Sequence, residues 1–224
     1  MRLVLLGPPG AGKGTQAARI AAAYGIPHIS TGEILRANVR EGTDLGKKAQ
    51  EYMDAGELVP DEVVVGMVAE RLEQDDARRG FVFDGFPRTV PQAQSLEEVL
   101  TATDQPLDVV LRFDIDEDEV LYRITGRRVC TQCGRSYHIE MDPPPADGRC
   151  AECGGAVIQR EDDTEEVVRN RLDVHRRQTE PLEVFYRQRG LLRDVAAVGE
   201  IDEVTQRALD VLSEYARPEN GTAA

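Results

Sequence analysis

Two patterns of hydrophobic residues recur along the chain. Short runs of consecutive apolar residues, bounded by glycine, proline or acidic residues, predict buried strands. Longer segments carry apolar residues three or four positions apart, which predicts helices with one buried side. Because the two kinds of segment alternate, we expect an α/β fold with a parallel sheet that helices cover on both faces. The predicted strands span residues 3–6, 26–29, 80–84, 109–113 and part of 191–198, and helices are predicted to follow residues 15, 30, 44, 60, 88, 116, 163 and 200.

Breaks in these patterns predict where several helices begin and end. Glycine ends helices because it adopts the left-handed backbone conformation, and proline cannot donate a backbone hydrogen bond inside one. We expect helix ends at 42–44 and at Gly56, capping of a later helix by Asp163 with Glu166, a kink or restart at Pro181, and a loose tail over 217–224.

A glycine-rich segment, Gly7 to Thr15, joins the first strand to the first helix. Its spacing, Gly, four residues, Gly, Lys, is that of the P-loop. Converging backbone N–H groups, the start of the helix and the charge of Lys13 together favour a bound phosphate. Gly14 stands where Ser or Thr normally gives a hydroxyl to Mg2+, so we expect the metal to be held mainly through phosphates and water, with Thr15 offset by one. The alternative is a glycine-rich turn without a ligand.

A carboxylate and an arginine follow the third strand, in Asp84-Gly85-Phe86-Pro87-Arg88. Ligands of open parallel sheets bind beyond the carboxyl ends of the strands, so Asp84 and Arg88 should lie on the same rim as Lys13. We expect Asp84 to hold a water of the Mg2+ shell. The alternative is an aspartate that caps the next turn.

The helix after residue 116 carries Arg123, and Arg127 follows four residues later. Because they are four residues apart, we expect the two arginines to share one helix face and to hold an anion between them. The alternative is an ion pair with Glu119. We assign no role to His175.

Four cysteines form two Cys-x-x-Cys-Gly knuckles, and 16 residues separate the two pairs. Each knuckle places two thiolates on one side of a tight turn, and four thiolates complete a tetrahedron without an open position. We therefore predict structural rather than catalytic zinc, with Fe2+ as an adventitious substitute; two disulfides or a redox pair are the alternatives. The predicted ligands are Cys130, Cys133, Cys150 and Cys153.

Length and charge narrow the class of protein. A chain of 224 residues can hold one large domain with insertions. Its net charge of −14 argues against nucleic acid as a partner, and no apolar run approaches the roughly 18 residues of a membrane span. Because Met1 and Arg2 lead straight into the first strand, we expect no signal peptide and a cytoplasmic location. Only three of the 27 basic residues are lysines, and arginine favours bidentate phosphate contacts.

Five motifs in order resemble the adenylate kinase family, specifically its long form with a zinc-bearing lid. The likeness extends from Met1 to about Tyr215 and is far more specific than the P-loop alone. The motifs are the segment Gly7 to Thr15 with Gly after the Lys, Ser30-Thr31-Gly32, Asp84 to Arg88, Gly126-Arg127-Arg128-Val129 and Arg160-Glu161-Asp162-Asp163.

This resemblance implies reversible phosphoryl transfer from MgATP to AMP, giving two ADP. It implies a P-loop core with a five-stranded parallel sheet over residues 1–29, 60–126 and 165–224, a helical AMP-binding insertion over 30–59 and a zinc-binding lid over 127–164. A monomer that binds neither nucleic acid nor membrane is expected. The attacking phosphate oxygen is already ionised, so no general base is required.

The resemblance also assigns roles to individual positions. Catalytic roles fall to Lys13, Asp84, Arg88, Arg123, Arg127, Arg160 and Arg171. The positions for ATP are Gly10, Ala11, Gly12, Lys13, Gly14, Thr15, Arg127, Ser136, Tyr137, Glu200 and Ile201. Those for AMP are Thr31, Arg36, Glu57, Leu58, Val59, Gly85, Phe86, Pro87, Arg88, Gln92, Arg160 and Arg171.

Two positions depart from the family pattern: Glu33 stands where Asp is usual, and Glu57 where Lys is common. Another base on the monophosphate is the nearest rival interpretation. A GTP-driven switch is disfavoured because its guanine-selecting Asn/Thr-Lys-x-Asp segment needs a lysine, and none follows Lys48. A zinc-ribbon protein that binds nucleic acid would explain the cysteines but not the P-loop.

Overall fold

The computed structural model describes residues 1–215, and the predicted tail over 217–224 lies outside them. Within the described residues the chain forms two sheets and the helices around them. The strands are β1 (Arg2–Leu6), β2 (His28–Ser30), β3 (Phe81–Asp84), β4 (Val109–Asp114), β5 (Arg127–Cys130), β6 (Ser136–His138), β7 (Val157–Ile158) and β8 (Leu192–Ala196). The helices are α1 (Lys13–Tyr24), α2 (Thr31–Glu41), α3 (Asp44–Ala55), α4 (Asp61–Leu72), α5 (Val90–Ala102), α6 (Glu117–Thr125), α7 (Glu165–Val174), α8 (Pro181–Gln188) and α9 (Ile201–Ser213).

The larger sheet has five parallel strands in the order β2-β3-β1-β4-β8. Successive side chains of β1 enter different cores, as the two-residue period of a strand requires. Val4 and Leu6 pack with residues of α4, α5 and α8, whereas Leu3 and Leu5 pack with residues of α1 and α9. Helices therefore cover both faces, and the predicted fold class is confirmed.

Strand order places the glycine-rich segment at the centre of the sheet. β1 lies between β3 and β4, so the chain leaves β1 toward one edge and later crosses to the other. The carboxyl end of β1 is therefore the position where the direction of winding changes, and a crevice opens there in sheets of this kind. Gly7 to Gly12 line that end.

A helical pair, α2 and α3, stands between β2 and α4. Ser30 caps α2 by accepting a hydrogen bond from the Glu33 N–H at 3.4 Å, and Thr43 caps α3 by accepting one from the Gly46 N–H at 3.0 Å. Gly42 and Gly56 follow the two helices with φ of 67° and 74°, so the predicted helix ends at these glycines are confirmed.

The smaller sheet is antiparallel, with β5 between β6 and β7. It carries both cysteine knuckles. Two bridges outside the named strands, His138 with Asp142 and Arg149 with Ala156, tie the connecting loops to it.

Two local predictions are wrong. α6 ends at Thr125 and Arg127 belongs to β5, so Arg123 and Arg127 do not share a helix face. A Cβ at Gly126 would lie 2.1 Å from Nε2 of His138, so the side chain of His138 packs directly against the turn from helix to strand. Thr164, rather than Asp163 with Glu166, caps α7, where its hydroxyl accepts from the Val167 N–H at 3.5 Å.

The predicted break near Pro181 is confirmed. After α7 the chain forms a π-helical segment over His175–Thr179, and α8 begins at Pro181. Proline is suited to the first turn of a helix, because its missing N–H has no partner there in any case.

Candidate active site

The glycine-rich segment wraps the carboxyl end of β1. Gly7 and Gly10 have φ of 138° and 83°, which disfavours any side chain there, and a Cβ at Gly10 would lie 2.7 Å from Ile124. Nζ of Lys13 donates to the carbonyls of Gly7 and Pro8 at 2.8 and 2.7 Å. The ammonium is therefore folded back over the loop in which a phosphate would lie.

Burial lowers the pKa of Lys13 to about 8. The charge of Asp84 opposes this shift, while Arg88 and Arg171 add to it. Lys13 is thus mostly charged at pH 7 but loses its proton as pH rises through about 8, and a bound anion would favour the charged form.

Asp84 ends β3 beside the start of α1. Burial alone raises the pKa of a carboxyl, but His28, with Nε2 at 3.6 Å from Oδ2, and the charge of Lys13 outweigh it, so the pKa of Asp84 is lowered. A Cβ at Gly14 would lie 3.2 Å from Oδ2 of Asp84, closer than ordinary van der Waals contact. The glycine at this position therefore gives the carboxylate room next to the P-loop.

Arg88 lies in the same crevice as Lys13. Its Nε donates to the carbonyl of Gly85 at 2.8 Å, and burial, followed by the charge of Arg171, lowers its pKa to about 10. Within residues 1–215, neither Lys13 nor Arg88 has a carboxylate oxygen within 4.0 Å, the limit for an ion pair. Two partly buried cations therefore face the crevice, and none of the described carboxylates lies within ion-pair distance of them.

Other arginines of the crevice are paired with acids. Asp163 is fully buried, and its two oxygens accept from Nε and Nη2 of Arg127 at 2.8 and 2.5 Å. Nη1 of Arg171 donates to Oδ2 of Asp162 at 3.0 Å and lies 3.7 Å from Oδ1 of Asp163. These pairs connect the end of the smaller sheet to α7.

Arg160 lies where the chain leaves the smaller sheet. Burial, followed by the charges of Arg36 and Arg127, lowers its pKa to about 10. Glu33 opposes the shift, and Oε1 of Glu33 accepts from Nη2 of Arg160 at 3.1 Å.

Arg123 points away from these arginines. Its Nε donates to Oε1 of Glu119 at 2.7 Å, so the alternative ion pair is present, and its Nη1 donates to the carbonyl of Ala197 at 3.1 Å. The second contact holds the segment before α9 near the P-loop. Nε2 of Gln16 reaches the same segment, donating to the carbonyl of Ile201 at 3.2 Å. Ile201, and Glu200 next to it, are therefore beside α1, and their contact with adenine stays a prediction.

The segment after β3 meets the helical pair. Oγ1 of Thr31 donates to the carbonyl of Gly85 at 2.9 Å. Gln92 is 2% exposed: its Nε2 donates to Asp61 at 2.6 Å and its Oε1 accepts from the Arg88 N–H at 2.8 Å. The predicted AMP positions 85–88 and 92 are thus brought together with Thr31.

The other AMP positions, Glu57, Leu58 and Val59, connect α3 to α4. Nδ2 of Asn170 donates to the carbonyl of Ala55 at 2.6 Å and to Oε1 of Glu57 at 3.3 Å. The connection is therefore held against α7, next to the arginines.

Sequence reasoning missed several residues of the crevice. Burial, followed by the charges of Lys13 and Arg88, lowers the pKa of His175 to about 4, so this histidine is neutral beside the P-loop. Asp162 and Asp163 belong to the motif Arg160-Glu161-Asp162-Asp163. Their position next to Arg160 in the sequence could have indicated that they lie in the crevice. No sequence signal pointed to His175 or Asn170.

The four cysteines converge at one end of the smaller sheet. Their sulfur atoms all lie within 4.8 Å of one another, with Cys130 to Cys153 at 3.4 Å and Cys133 to Cys150 at 3.6 Å. Sulfur atoms at about 2.3 Å from a tetrahedral zinc ion are separated by comparable distances, so the set fits structural Zn2+.

Tyr137 is buried against this cluster. Its hydroxyl donates to Sγ of Cys150 at 3.3 Å and accepts from the Ala151 N–H at 2.9 Å, whereas Ser136 is exposed. A contact between these two residues and ATP stays a prediction.

No helix among the described residues is long and apolar enough to cross a bilayer. A P-loop at the switch point of a parallel sheet, with buried arginines around it, defines a nucleotide-binding phosphotransferase.

Comparison with known proteins identifies the family. The family model described as "Adenylate kinase" matches residues 5–191. Proteins named adenylate kinase are 54% identical in Thermodesulfovibrio yellowstonii over 91% of this chain and 95% of that protein, and 52% identical in Methanosarcina barkeri over 96% and 100%. A third, from Acidothermus cellulolyticus, is 54% identical over 97% of this chain and 100% of its own. The chain belongs to the adenylate kinase family, and the predicted family, enzyme class and P-loop fold are confirmed.

Proposed function

We propose that the protein transfers a phosphoryl group reversibly between MgATP and AMP, giving two ADP, by electrostatic stabilisation without a general base. The observation that supports this most is the crevice in which Lys13 and Arg88 lie partly buried, while no carboxylate of residues 1–215 is within ion-pair distance of either. Phosphoryl transfer needs positioned cations because charge is spread over the oxygens of the moving group. The accepting phosphate oxygen of AMP is already ionised, so no proton has to be removed before attack.

The P-loop is the proposed site of ATP. The backbone of Gly10 to Thr15 and the side chain of Lys13 would bind its phosphates, while Glu200 and Ile201 meet the adenine. Mg2+, when bound, neutralises charge on the phosphates. Asp84 and Thr15 are the side chains that would hold it, Asp84 through a water molecule; the ionised carboxylate of Asp84 beside the loop supports this.

The helical pair is the proposed site of AMP. Arg36 and Arg88 would bind its phosphate, and the backbone of residues 57–59, residues 85–87, Thr31 and Gln92 would surround the nucleoside. Arg127, Arg160 and Arg171 would contact the transferred group from the other side. Arg123, held by Glu119 in this structure, would have to exchange that ion pair to reach ATP.

Three parts of the chain are proposed to have separate roles. Residues 1–29, 60–126 and 165–224 form the core, residues 30–59 the AMP insertion and residues 127–164 the lid. The separate sheet of the lid and its cysteine cluster support this division, because a metal-bound unit can close over ATP as one body and exclude water. Because all proposed site residues come from one chain, a monomer suffices. We further propose that it is cytoplasmic and binds neither nucleic acid nor membrane.

Substitution of Arg88 tests the proposed transfer. Removing one preorganised charge-stabilising donor costs about 100-fold or more in turnover, so we expect that loss for Arg88→Ala in a coupled ADP assay. Arg169→Ala is the matched control, because Arg169 pairs with Glu165 on the exposed face of α7 and should stay within about twofold. Turnover within about tenfold of the unmodified protein in Arg88→Ala would refute the assignment.

Base preference is the finer part of the proposal. We expect AMP to be the best acceptor when AMP, GMP, CMP and UMP are compared at equal concentration with MgATP. A higher kcat/KM for any of the other three would replace AMP as the substrate while leaving the phosphoryl transfer intact.

A further inference from the structure

Glu33 lies between two arginines that belong to different parts of the chain. Its Oε1 accepts from Nε and Nη2 of Arg36 at 3.2 and 2.6 Å, and from Nη2 of Arg160 at 3.1 Å. Arg36 is on α2, whereas Arg160 lies where the lid ends. One oxygen atom therefore receives three N–H groups from two guanidinium groups, an arrangement that resembles a phosphate oxygen between arginines.

Exposure distinguishes Glu33 from the other acids in the crevice. The side chain of Glu33 is 50% exposed, whereas that of Asp163 is fully buried and that of Asp162 is 16% exposed. A half-exposed carboxylate can turn into solvent at little cost in free energy. A buried carboxylate cannot leave its arginine without leaving a buried charge unpaired. Glu33 is therefore the displaceable acid of the three.

The charge of Glu33 is maintained by its partners. Burial raises the pKa of a carboxyl, but the charge and hydrogen bonds of Arg36, together with the charge of Arg160, outweigh it, and the pKa of Glu33 is lowered. The carboxylate is accordingly an anion throughout the neutral range.

We propose that Glu33 is an internal competitor for the acceptor phosphate: it occupies Arg36 and Arg160 in this structure, and the monophosphate must displace it. This inference rests on the proposed AMP site. The carboxylate keeps both guanidinium groups oriented before substrate arrives, and it weakens the binding of every anion that uses them. Glu33 is thus a positioning residue that sets affinity for the phosphate part of the acceptor.

The competition makes a specific prediction for Glu33→Gln. The glutamine is nearly isosteric but uncharged, so AMP no longer has to displace an anion, and its Kd should fall about threefold to tenfold. Adenosine has no phosphate, and its Kd should be unchanged. Inorganic phosphate, used alone as a probe, should bind more tightly to the variant.

Isothermal titration calorimetry on the full-length protein measures these three dissociation constants. Glu165→Gln is the matched control, because it removes one acidic charge from the exposed pair with Arg169 and should leave all three values within about twofold. Glu33→Asp, which keeps the charge, should bind AMP more weakly than Glu33→Gln does.

Unchanged or weaker binding of AMP to Glu33→Gln than to the unmodified protein would refute the competition. If the melting temperature of this variant also falls, Glu33 only supports α2. Equal tightening for adenosine would also refute it, because the effect would then not depend on the phosphate. If the unmodified protein binds no AMP at all, the proposed function itself fails, so the two failures are distinguishable.

Discussion

The protonation of Lys13 should make nucleotide binding depend on pH above neutrality. Burial in the crevice, together with the neighbouring arginines, lowers the pKa of Lys13 from 10.5 to about 8. The phosphates of ATP would add negative charge beside Nζ and raise the pKa again. Binding should therefore take up protons, and affinity should fall as pH rises through about 8.

The size of the effect follows from the fraction of charged Lys13. With a pKa of about 8, Lys13 carries its charge in roughly nine tenths of the molecules at pH 7 and in roughly one tenth at pH 9. If only the charged form binds the phosphates well, the apparent Kd for ATP rises about tenfold across this range. At pH 8, about half a proton should be taken up for each ATP bound.

NMR can measure the pKa of Lys13, and calorimetry can measure the proton uptake on ATP binding. The chain has only three lysines, so the Cε signal of Lys13 can be followed directly and assigned by its loss in Lys13→Met, with the exposed Lys47 and Lys48 as internal references. Calorimetric titration with ATP, without AMP, in buffers of different ionisation enthalpy gives the proton uptake. A Lys13 signal that titrates at its ordinary pKa of about 10.5 would refute the reasoning, as would an ATP affinity that is flat from pH 7 to 9.

Two further predictions concern the lid. Asp163→Asn should leave the charge of Arg127 buried without its paired carboxylate, which costs about 3 kcal/mol or more and lowers the melting temperature by roughly 6–12 °C. Asp147→Asn, in an exposed lid loop, is the control. An unchanged melting temperature in Asp163→Asn would contradict the pairing. Tyr137→Phe removes the hydrogen bond to Sγ of Cys150, so zinc should pass to a chromogenic chelator about tenfold faster than from the unmodified protein, and equal rates would show that the bond does not hold the metal.

Most of the fold was predictable because strong local signals agree with the tertiary structure. β1, β3 and β4 are mostly apolar runs, as strands buried on both faces must be, and the structure buries every apolar side chain in them. Gly42 and Gly56 ended helices where predicted, since few other residues adopt their backbone conformation without strain.

Where a local sequence pattern was compatible with two structures, tertiary packing determined which one formed. The spacing of Arg123 and Arg127 is equally compatible with a continuous helix and with a helix that ends between them. His138, twelve residues beyond Gly126, packs against that glycine, and Arg127 then pairs with a fully buried Asp163. Neither contact is visible in a helical period, because both join positions far apart in the chain.

The positions of the cations were predictable, but their pairing was not. A P-loop lysine and an arginine just beyond a strand are fixed to the sheet edge by their sequence neighbours, so Lys13 and Arg88 were placed correctly on one rim. Which acid neutralises which arginine depends on the approach of the lid to α2 and α7. A chain with 41 acidic residues offers too many candidates for sequence alone to choose among them.

The pairing itself explains how a crevice so rich in arginine can be stable before substrate arrives. Among the described residues, six cations share the crevice with four carboxylates, and the charge of each group shifts the pKa of its neighbours. Burying them all without acids would be prohibitively costly, yet neutralising all of them would leave no attraction for two nucleotides. The acids differ in exposure: Asp163 is fixed to Arg127 and Glu33 is exchangeable, whereas Lys13 and Arg88 feel the charge of Asp84 but have no carboxylate of the described residues within ion-pair distance. The cations without a fixed partner are then those on which the phosphates of substrate complete the charge balance. This explains why an arginine cluster, rather than a general base, is suited to phosphoryl transfer. The six cations of the crevice are Lys13, Arg36, Arg88, Arg127, Arg160 and Arg171, and the four acids are Glu33, Asp84, Asp162 and Asp163.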